Sequence, residues 1–367
     1  MMTSSSAAFA LSYPGLKDFL GDPRFPDDFW QASSPEREGM DSRKLQGALD
    51  FIRANNVHLH SFLVIRNGRL VLEQYGADYS SSQLPLVQSS DATQQTPYVR
   101  HHLWSTTKTI LSALVGIAIS EGRIPSVKAR VLDWFKNDPI EDVDANKQRL
   151  TIENLLTMQS GLDFDEDSPV VTLLFWGYPV SAVSVLGRPT SFAPGTEWYY
   201  TSGNSQVLAE ILRRATGRTP LEYAQEKIFS KIGITTGTWV SDRSGTQLGG
   251  FGLSLRPRDL ARFGYLYLKG GRWGDVQVVP EAWIKESTTV HAETPWPDGR
   301  YGYHLWLPYV GGWATRGHDG QMMYAFPDRD LIVVFTGDVP SLNGHATWLM
   351  DFLVSNYVLA ALPAPAE

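Results

Sequence analysis

The sequence predicts an α+β fold, in which an antiparallel sheet built from both chain ends is flanked by helices and carries a mostly helical inserted subdomain. Two strand-like runs lie near the start, within residues 61–76, and several more lie near the end, within residues 301–338. Residues 125–248, between them, read mostly as helices and loops. A compact domain packs its strands into one layer and its helices into another. We therefore expect the strands from both chain ends to form one sheet, with the helical stretch inserted between them in the sequence.

This organisation divides the chain of 367 residues into three parts. Residues 1–40 are rich in Pro, Ser and Asp, and we interpret them as an irregular N-terminal arm. Residues 41–124 and 249–367 together form the predicted α/β subdomain, and residues 125–248 form the helical insert. The length is sufficient for two subdomains that each have a core.

The first strand pair is predicted from SFLVIRNGRLVLEQYG, residues 61–76. Its two apolar runs flank Asn67-Gly68, a dipeptide that suits the type I′ turn of a two-residue hairpin. Near the other end, the runs YGYHLWLPYV, GGWATRGHDG, QMMYAFP and DLIVVFTGD alternate strand residues with turn residues. These runs supply the remaining strands of the predicted sheet.

The helices are predicted from apolar spacing and from their capping residues. If residues 105–121 form a helix, apolar side chains cover almost all of its faces, which predicts that the helix is buried. Thr151 begins TIENLLTMQSGL, a short helix that we expect Gly161 to end. Further helices are predicted at residues 205–217, 257–271 and 345–362.

Composition excludes several classes of function. The net charge is −7 and no long basic run is present, which argues against a nucleic-acid partner. No apolar stretch approaches the ~20 residues that a membrane-spanning helix needs. There are no cysteines, which excludes disulfides and a cysteine nucleophile. No signal peptide is visible, so we expect export only if one has been removed, and the oligomeric state stays open.

Ser105 and Lys108 lie three residues apart at the start of the predicted buried helix. Residues at this spacing share a helix face, with Cβ atoms roughly 5–6 Å apart, so the lysine can reach the serine oxygen. A buried lysine loses proton affinity and can act as a base, while the helix N-terminus stabilises negative charge. The alternative interpretation is a helix cap beside a solvated lysine, because one S-x-x-K is expected by chance in a chain this long.

Two later motifs favour the catalytic interpretation. Tyr200 precedes a predicted helix, and His318-Asp319-Gly320 lies beside a predicted strand. With S-x-x-K, a tyrosine motif and a K/H-x-G motif in this order, the chain resembles the serine β-lactamase and penicillin-binding-protein superfamily over residues 40–358. The Y-x-S-x-N form of the second motif is similar to 6-aminohexanoate-dimer hydrolases and related carboxylesterases. The resemblance implies a β-lactamase/transpeptidase-like fold.

The resemblance also implies roles for individual residues. Ser105 is the expected nucleophile, Lys108 the group that accepts or relays its proton, and Tyr200 the second proton-transfer group. The backbone N–H groups of Ser105 and Gln321 are the expected oxyanion hole. The expected substrate-binding residues are His318, Gly320, Ser202, Asn204 and Trp176.

Trp176 lies in an aromatic, loop-like stretch at residues 173–180, and residues 293–306 form a second such stretch. Both stretches are candidates for the wall of the substrate pocket. Their tryptophans could equally cap the hydrophobic core.

The chain departs from the antibiotic-hydrolysing members of this superfamily at two positions. Ser202 stands where the Y-x-N motif has asparagine, and His318 stands where the K-T-G motif has lysine. An unperturbed histidine is mostly uncharged at neutral pH, so it holds a substrate carboxylate less surely than lysine does. We therefore expect an acyl-enzyme hydrolase of esters or short amides.

Two alternatives remain at this point. One is a β-lactamase or D-alanyl-D-alanine carboxypeptidase, which would use the same residues on a different acyl donor. The other is a non-catalytic binding protein on the same fold. No metal-ligand spacing is recognisable and no serine lies in G-x-S-x-G, so we predict neither a metal nor another cofactor, and no α/β-hydrolase.

Overall fold

The protein is described here from a computed structural model that covers residues 25–26, 30–76, 96–165, 180–242, 244–296, 299–339 and 345–363. Within these residues the main sheet has five antiparallel strands in the order β10-β11-β12-β1-β2. Its strands are β1 (Leu59–Arg66), β2 (Arg69–Tyr75), β10 (Trp313–Gly317), β11 (Gln321–Phe326) and β12 (Leu331–Gly337). The prediction of one sheet built from both chain ends is therefore confirmed.

The turn between β1 and β2 has the predicted type. Asn67 and Gly68 have φ angles of 51° and 72°. Positive φ at both central residues defines a type I′ turn, whose twist matches the right-handed twist of the flanking strands. The turn pairs Arg66 with Arg69, and a β-bulge shifts the register between Ile65 and Val64.

Short strands lie outside the main sheet. These are β3 (His101–His102), β4 (Thr238–Trp239), β5 (Leu253–Leu255), β6 (Arg272–Trp273), β7 (Val276–Gln277), β8 (Ala292–Glu293) and β9 (Arg300–Tyr301). Strand β5 pairs with both β3 and β4. Strand β5 therefore ties β3, which directly precedes the Ser105 turn, to β4, which lies near the end of the helical stretch.

The helices in chain order are α1 (Ser42–Ala54), α2 (Thr107–Ser120), α3 (Ala145–Arg149), α4 (Ile152–Leu156), α5 (Ala182–Leu186), α6 (Ser202–Thr216), α7 (Pro220–Lys227), α8 (Pro257–Leu268), α9 (Glu281–Ser287) and α10 (His345–Leu353). Residues 107–118 of α2 are all buried, as the sequence predicts. Gly217, with a φ of 70°, ends α6 in the left-handed conformation that glycine favours. None of the helices in the described ranges is long and apolar enough to cross a membrane.

The main sheet has a hydrophobic core on each face. Alternate residues of β1 point to opposite faces, with Leu63 in one core and Phe62 in the other. Buried residues of α2, α6 and α8 belong to the first core, and those of α1 and α10 belong to the second. Helices thus cover both faces of the sheet and leave the edge strand β10 beside the start of α2.

Two local predictions were wrong. Helix α4 ends at Leu156 and not at Gly161, because Met158 already has a left-handed φ of 59°. The run YGYHLWLPYV contributes the end of β9 and two isolated bridges, Tyr301 to Trp306 and Trp306 to Ala314, instead of a full strand. The predicted closing helix is present: it is α-helical to Leu353, continues as a π-helical turn, Val354–Val358, and ends as a 3₁₀ turn, Leu359–Ala361. The division into three parts stays a prediction.

Candidate active site

Ser105 lies in a tight turn that leads into α2. Strand β3 is followed by a 3₁₀ turn, Trp104–Thr106, and the α-helix begins at Thr107, two residues later than predicted. Trp104 has a φ of 48°, a conformation that costs a bulky residue free energy and that clusters at functional sites. No side-chain cap is made at this helix start, so the interpretation of Ser105 as a cap loses its support.

Lys108 is held by three oxygen atoms. Its Nζ atom lies 3.0 Å from the Oγ atom of Ser105, 2.8 Å from the Oγ atom of Ser202 and 2.8 Å from the carbonyl oxygen of Gly250. The side chain is almost completely buried, at 1% exposure. The alternative of a solvated lysine is therefore wrong, and a buried amine faces the serine that the spacing predicts.

Tyr200 closes another side of this cluster. The Nζ atom of Lys108 lies 4.9 Å from the centre of the Tyr200 ring, within the range of a cation–π interaction. Tyr200 directly precedes Thr201, whose hydroxyl caps α6 by accepting the N–H of Gly203. The cap fixes where the chain enters the helix, so Tyr200 and Ser202 approach Lys108 together.

Aromatic residues form a wall next to Tyr200. The ring of Trp296 lies 5.8 Å from Tyr200 and is stacked on Trp306 at 5.0 Å, while Trp198 contacts all three rings. Trp296 is 46% exposed, so an indole face is open to a ligand. The predicted aromatic stretch 293–306 thus lies beside the candidate catalytic groups. Trp176, the other predicted wall residue, lies outside the described residues.

The turn that carries Ser105 is tied to the edge of the main sheet. The hydroxyl of Thr106 donates to the carbonyl oxygen of Gln321 at 2.9 Å and lies 3.1 Å from the hydroxyl of Thr315. Gly317 allows the close approach, since a Cβ atom there would lie 2.3 Å from the carbonyl oxygen of Leu103. Strand β10 therefore contacts residues close to Ser105 on either side of it in the sequence.

His318, Asp319 and Gly320 form the turn between β10 and β11. Asp319 takes a left-handed φ of 59°, and burial raises the pKa of its carboxyl group. The His318 side chain is 58% exposed, 3.2 Å from Asp319 and 5.4 Å, ring to ring, from Trp104. His318 therefore lies at the rim of the site, where a substrate can reach it.

The backbone N–H of Gln321, the second expected oxyanion donor, already has a hydrogen-bond partner in this structure. This N–H donates to the carbonyl oxygen of His318 within the turn. A substrate oxygen would have to displace that bond before Gln321 could serve as an oxyanion donor. The second oxyanion donor is therefore less well prepared in this structure than the sequence pattern implies.

Three of the expected substrate-binding residues are buried. Asn204 is fully buried and its amide contacts the sulfur of Met158, while Gly320 is also inside the protein. Ser202 is 4% exposed and bonds to Lys108. The structure therefore gives Asn204 no surface for a substrate, and it gives Ser202 a contact with the amine of Lys108.

Two contributors were missed by the sequence analysis. The carbonyl oxygen of Gly250 binds Lys108, and Trp104 lines the entrance next to His318. The only local signal for the first was the pair Gly249-Gly250, which marks a close backbone approach. Nothing in the sequence indicated that the loop containing Gly250 would contact Lys108.

Outside this cluster, His60 and His101 are both buried. His101 in β3 contacts His60 in β1, with 3.4 Å between their Nδ1 atoms. Burial, together with the neighbouring His60, lowers the pKa of His101 to about 3. Among the described residues, no group of three or more His, Cys, Asp or Glu side chains could hold a metal ion.

Comparison with known proteins gives the family. Residues 36–346 match the family described as Beta-lactamase, so the chain belongs to the beta-lactamase family. The resemblance inferred from the three motifs is thereby confirmed. The chain is a hydrolase of the beta-lactamase superfamily, with the β-lactamase/transpeptidase-like fold.

Similar curated proteins are named as a hydrolase and as a peptidase. The chain is 26% identical over 307 residues to a 6-aminohexanoate-dimer hydrolase of Paenarthrobacter ureafaciens, which covers 75% of this chain and 71% of the relative. It is 30% identical over 186 residues to a D-aminopeptidase of Brucella anthropi. That second match covers 49% of this chain but only 32% of the relative.

Solved structures show the same fold at low sequence identity. A Bacillus anthracis protein named as a candidate 6-aminohexanoate-dimer hydrolase superposes with a TM-score of 0.71 at 20% identity, covering 94% of this chain and 91% of that one. A family VIII carboxylesterase superposes with a TM-score of 0.66 at 16% identity, covering 90% of this chain and 99% of the carboxylesterase.

Proposed function

We propose that this chain is a serine hydrolase that forms an acyl-enzyme with esters or short amides. The observation that carries the proposal is the contact between Lys108 and Ser105, in which a buried amine lies 3.0 Å from the hydroxyl oxygen of a partly exposed serine. An amine in that position can take the hydroxyl proton as the oxygen attacks a carbonyl carbon. The proposed reaction uses groups of the protein and one water molecule.

The proposed reaction has two balanced halves. In the first, the Oγ atom of Ser105 bonds to the substrate carbonyl carbon and its proton passes to Lys108. Tyr200 then gives a proton to the leaving oxygen or nitrogen, the bond to that atom breaks, and the proton on Lys108 replaces the one lost by Tyr200. In the second half, water attacks the ester on Ser105, one water proton returns through the same groups to Oγ, and the acid leaves.

The negative oxygen of the tetrahedral intermediate needs donors near Ser105. The backbone N–H of Ser105 lies at the start of the continuous 3₁₀ and α-helical segment, where N–H groups lack partners within the helix. We propose this N–H as the first donor. Gln321 is the second only after its N–H leaves the carbonyl oxygen of His318.

The proposed substrate class rests on the relatives and on the rim of the site. The names of similar proteins include a 6-aminohexanoate-dimer hydrolase, a D-aminopeptidase and a carboxylesterase. The resemblance aligns residues 318–320 with the K-T-G motif, and His318 stands here in place of its lysine. These points favour esters and short amides over β-lactams, whose carboxylate needs a cation.

The test is a matched kinetic panel. Purified protein is assayed with a short-chain nitrophenyl ester, the linear dimer of 6-aminohexanoate, a D-Ala-D-Ala peptide and nitrocefin. Each rate is divided by that substrate's uncatalysed hydrolysis. The proposal predicts turnover of the ester or the linear dimer that disappears in Ser105→Ala. Turnover of nitrocefin or the peptide alone would instead favour a β-lactamase or carboxypeptidase.

A further inference from the structure

Lys108 needs more than proximity to act as a base, because its lone pair must face Ser105. A neutral amine donates two hydrogen bonds and accepts one. The carbonyl oxygen of Gly250 can only accept, and it lies 2.8 Å from the Nζ atom. If Gly250 and Ser202 each take one N–H, the lone pair of the amine remains for the hydroxyl of Ser105. The position of Gly250 therefore sets the direction of proton transfer.

The segment that carries Gly250 packs directly on helix α6. A Cβ atom on Gly249 would lie 1.9 Å from the carbonyl oxygen of Ser205, and one on Gly250 would lie 2.5 Å from the Cβ atom of Ser202. No residue with a side chain fits this approach without a shift in the backbone. The two glycines thus allow the contact, but they do not by themselves hold the loop in place.

Gln206 holds the loop. Its Oε1 atom accepts the backbone N–H of Gly249 at 2.9 Å, and its Nε2 atom donates to the carboxylate of Asp242 at 3.2 Å. Both side chains are more than nine-tenths buried. Asp242 is fixed in turn by the backbone N–H groups of Ser244 and Thr246.

Gln206 and Ser202 lie four residues apart, on one face of α6. A single helix face therefore supplies one partner of Lys108 directly and the other through the loop. Both partners keep a fixed separation because the helix is rigid.

We propose that Gln206, oriented by Asp242, is a positioning residue that aims Lys108 at Ser105 through the backbone of Gly249 and Gly250. This inference rests on the proposed function, in which Lys108 accepts the proton of Ser105. Loss of the Gln206 amide should slow the chemical step and leave substrate binding nearly unchanged, because the Gln206 side chain is buried and its bonds go to Gly249 and Asp242.

The test compares two buried glutamines. Gln247 also accepts a backbone N–H, from Leu221 at 3.2 Å, and donates to a side-chain oxygen, that of Ser241 at 3.0 Å. Its bonds point toward α7 and not toward Lys108. Gln206→Met and Gln247→Met therefore remove the same kind of bonds at similar burial, and only the first should affect the amine.

With a nitrophenyl ester, Gln206→Met should lower kcat by at least about tenfold with KM within about threefold, while Gln247→Met leaves kcat within about twofold. Equal losses of kcat in both methionine variants, or no loss in Gln206→Met, would overturn the inference.

Crystal structures of the two methionine variants give a readout that does not depend on activity. The bond from Lys108 to Gly250 should be lost or lengthened in Gln206→Met and kept in Gln247→Met. An unchanged bond in Gln206→Met would overturn the inference even if no ester is hydrolysed. Absence of hydrolysis in the wild type, in contrast, counts against the proposed function.

Discussion

The Nζ atom of Lys108 lies closer to the hydroxyl oxygen of Ser202, at 2.8 Å, than to that of Ser105, at 3.0 Å. One lysine is thus shared by two serines from different helical segments. Ser202 is 4% exposed, whereas Ser105 is partly exposed. Burial therefore separates their roles, because only Ser105 is open to a substrate.

Ser202→Ala should lower kcat by roughly 10- to 100-fold, because Lys108 loses a partner that orients it. KM should change little, since the hydroxyl is buried beside the amine. Steady-state kinetics with a nitrophenyl ester measure both constants. Ser205→Ala, on the same helix and fully buried, is the matched control and should keep nearly full activity. Covalent labelling that maps to Ser202 would reverse the assignment of the two serines.

Lys108→Arg should be nearly as inactive as Lys108→Ala. Arginine keeps the positive charge but cannot give up a proton near neutral pH. Lys147→Arg is the control, because Lys147 is also 1% exposed and donates to the carbonyl oxygens of Glu141 and Asp142, away from the site. The measurement is kcat/KM together with thermal stability. High activity of Lys108→Arg would show that charge, and not proton transfer, is what the site requires.

The ester should be preferred to the β-lactam. After division by the uncatalysed rates, kcat/KM for a short-chain nitrophenyl ester should exceed that for nitrocefin by at least about tenfold, equivalent to ~1.4 kcal/mol. His318→Lys restores the cation at the rim and should narrow the gap. His318→Asn removes the ring without adding charge and should leave the gap between ester and nitrocefin unchanged. Equal normalised rates in the wild type would support the antibiotic-hydrolysing alternative.

Stability should fall as the pH is lowered below about 6.5. Burial lowers the pKa of His101 to about 3 and that of His304 to about 3, so both stay neutral in the folded protein. In the unfolded chain they bind protons below their ordinary pKa of about 6.5, which favours unfolding. At pH 5 each buried histidine should therefore cost about 2 kcal/mol of unfolding free energy relative to pH above 6.5.

Denaturant unfolding at pH 7 and pH 5 measures this effect. His101→Asn should reduce the loss of stability between the two pH values by about 2 kcal/mol. A His101→Asn variant with the wild-type pH dependence would contradict a buried, neutral His101.

Sequence reasoning succeeded where local geometry decides the outcome. Ser105 and Lys108 were found because a spacing of three places two side chains on one face, and the Asn67-Gly68 hairpin because both residues accept positive φ. The end of α4 was missed because Met158 adopts a left-handed conformation that its residue type does not favour.

Contacts between distant segments could not be read in the same way. Gly250 lies 142 residues from Lys108 along the chain, and only the packing of its loop on α6 brings its carbonyl oxygen to the amine. The N–H of Gln321 was expected to face the substrate, but the turn at His318 uses it internally. Both outcomes depend on tertiary structure that residue spacing does not encode.

The central claim is that Ser105 is the covalent nucleophile, and intact-mass measurement after exposure to a fluorophosphonate tests it most directly. The wild type should gain one phosphonyl group, peptide mapping should place it on Ser105, and ester hydrolysis should stop in proportion. Ser105→Ala should gain no mass and show no hydrolysis, while its thermal stability stays within about 1–2 kcal/mol of the wild type. Labelling that persists in folded Ser105→Ala, or hydrolysis that survives the substitution, would contradict the account.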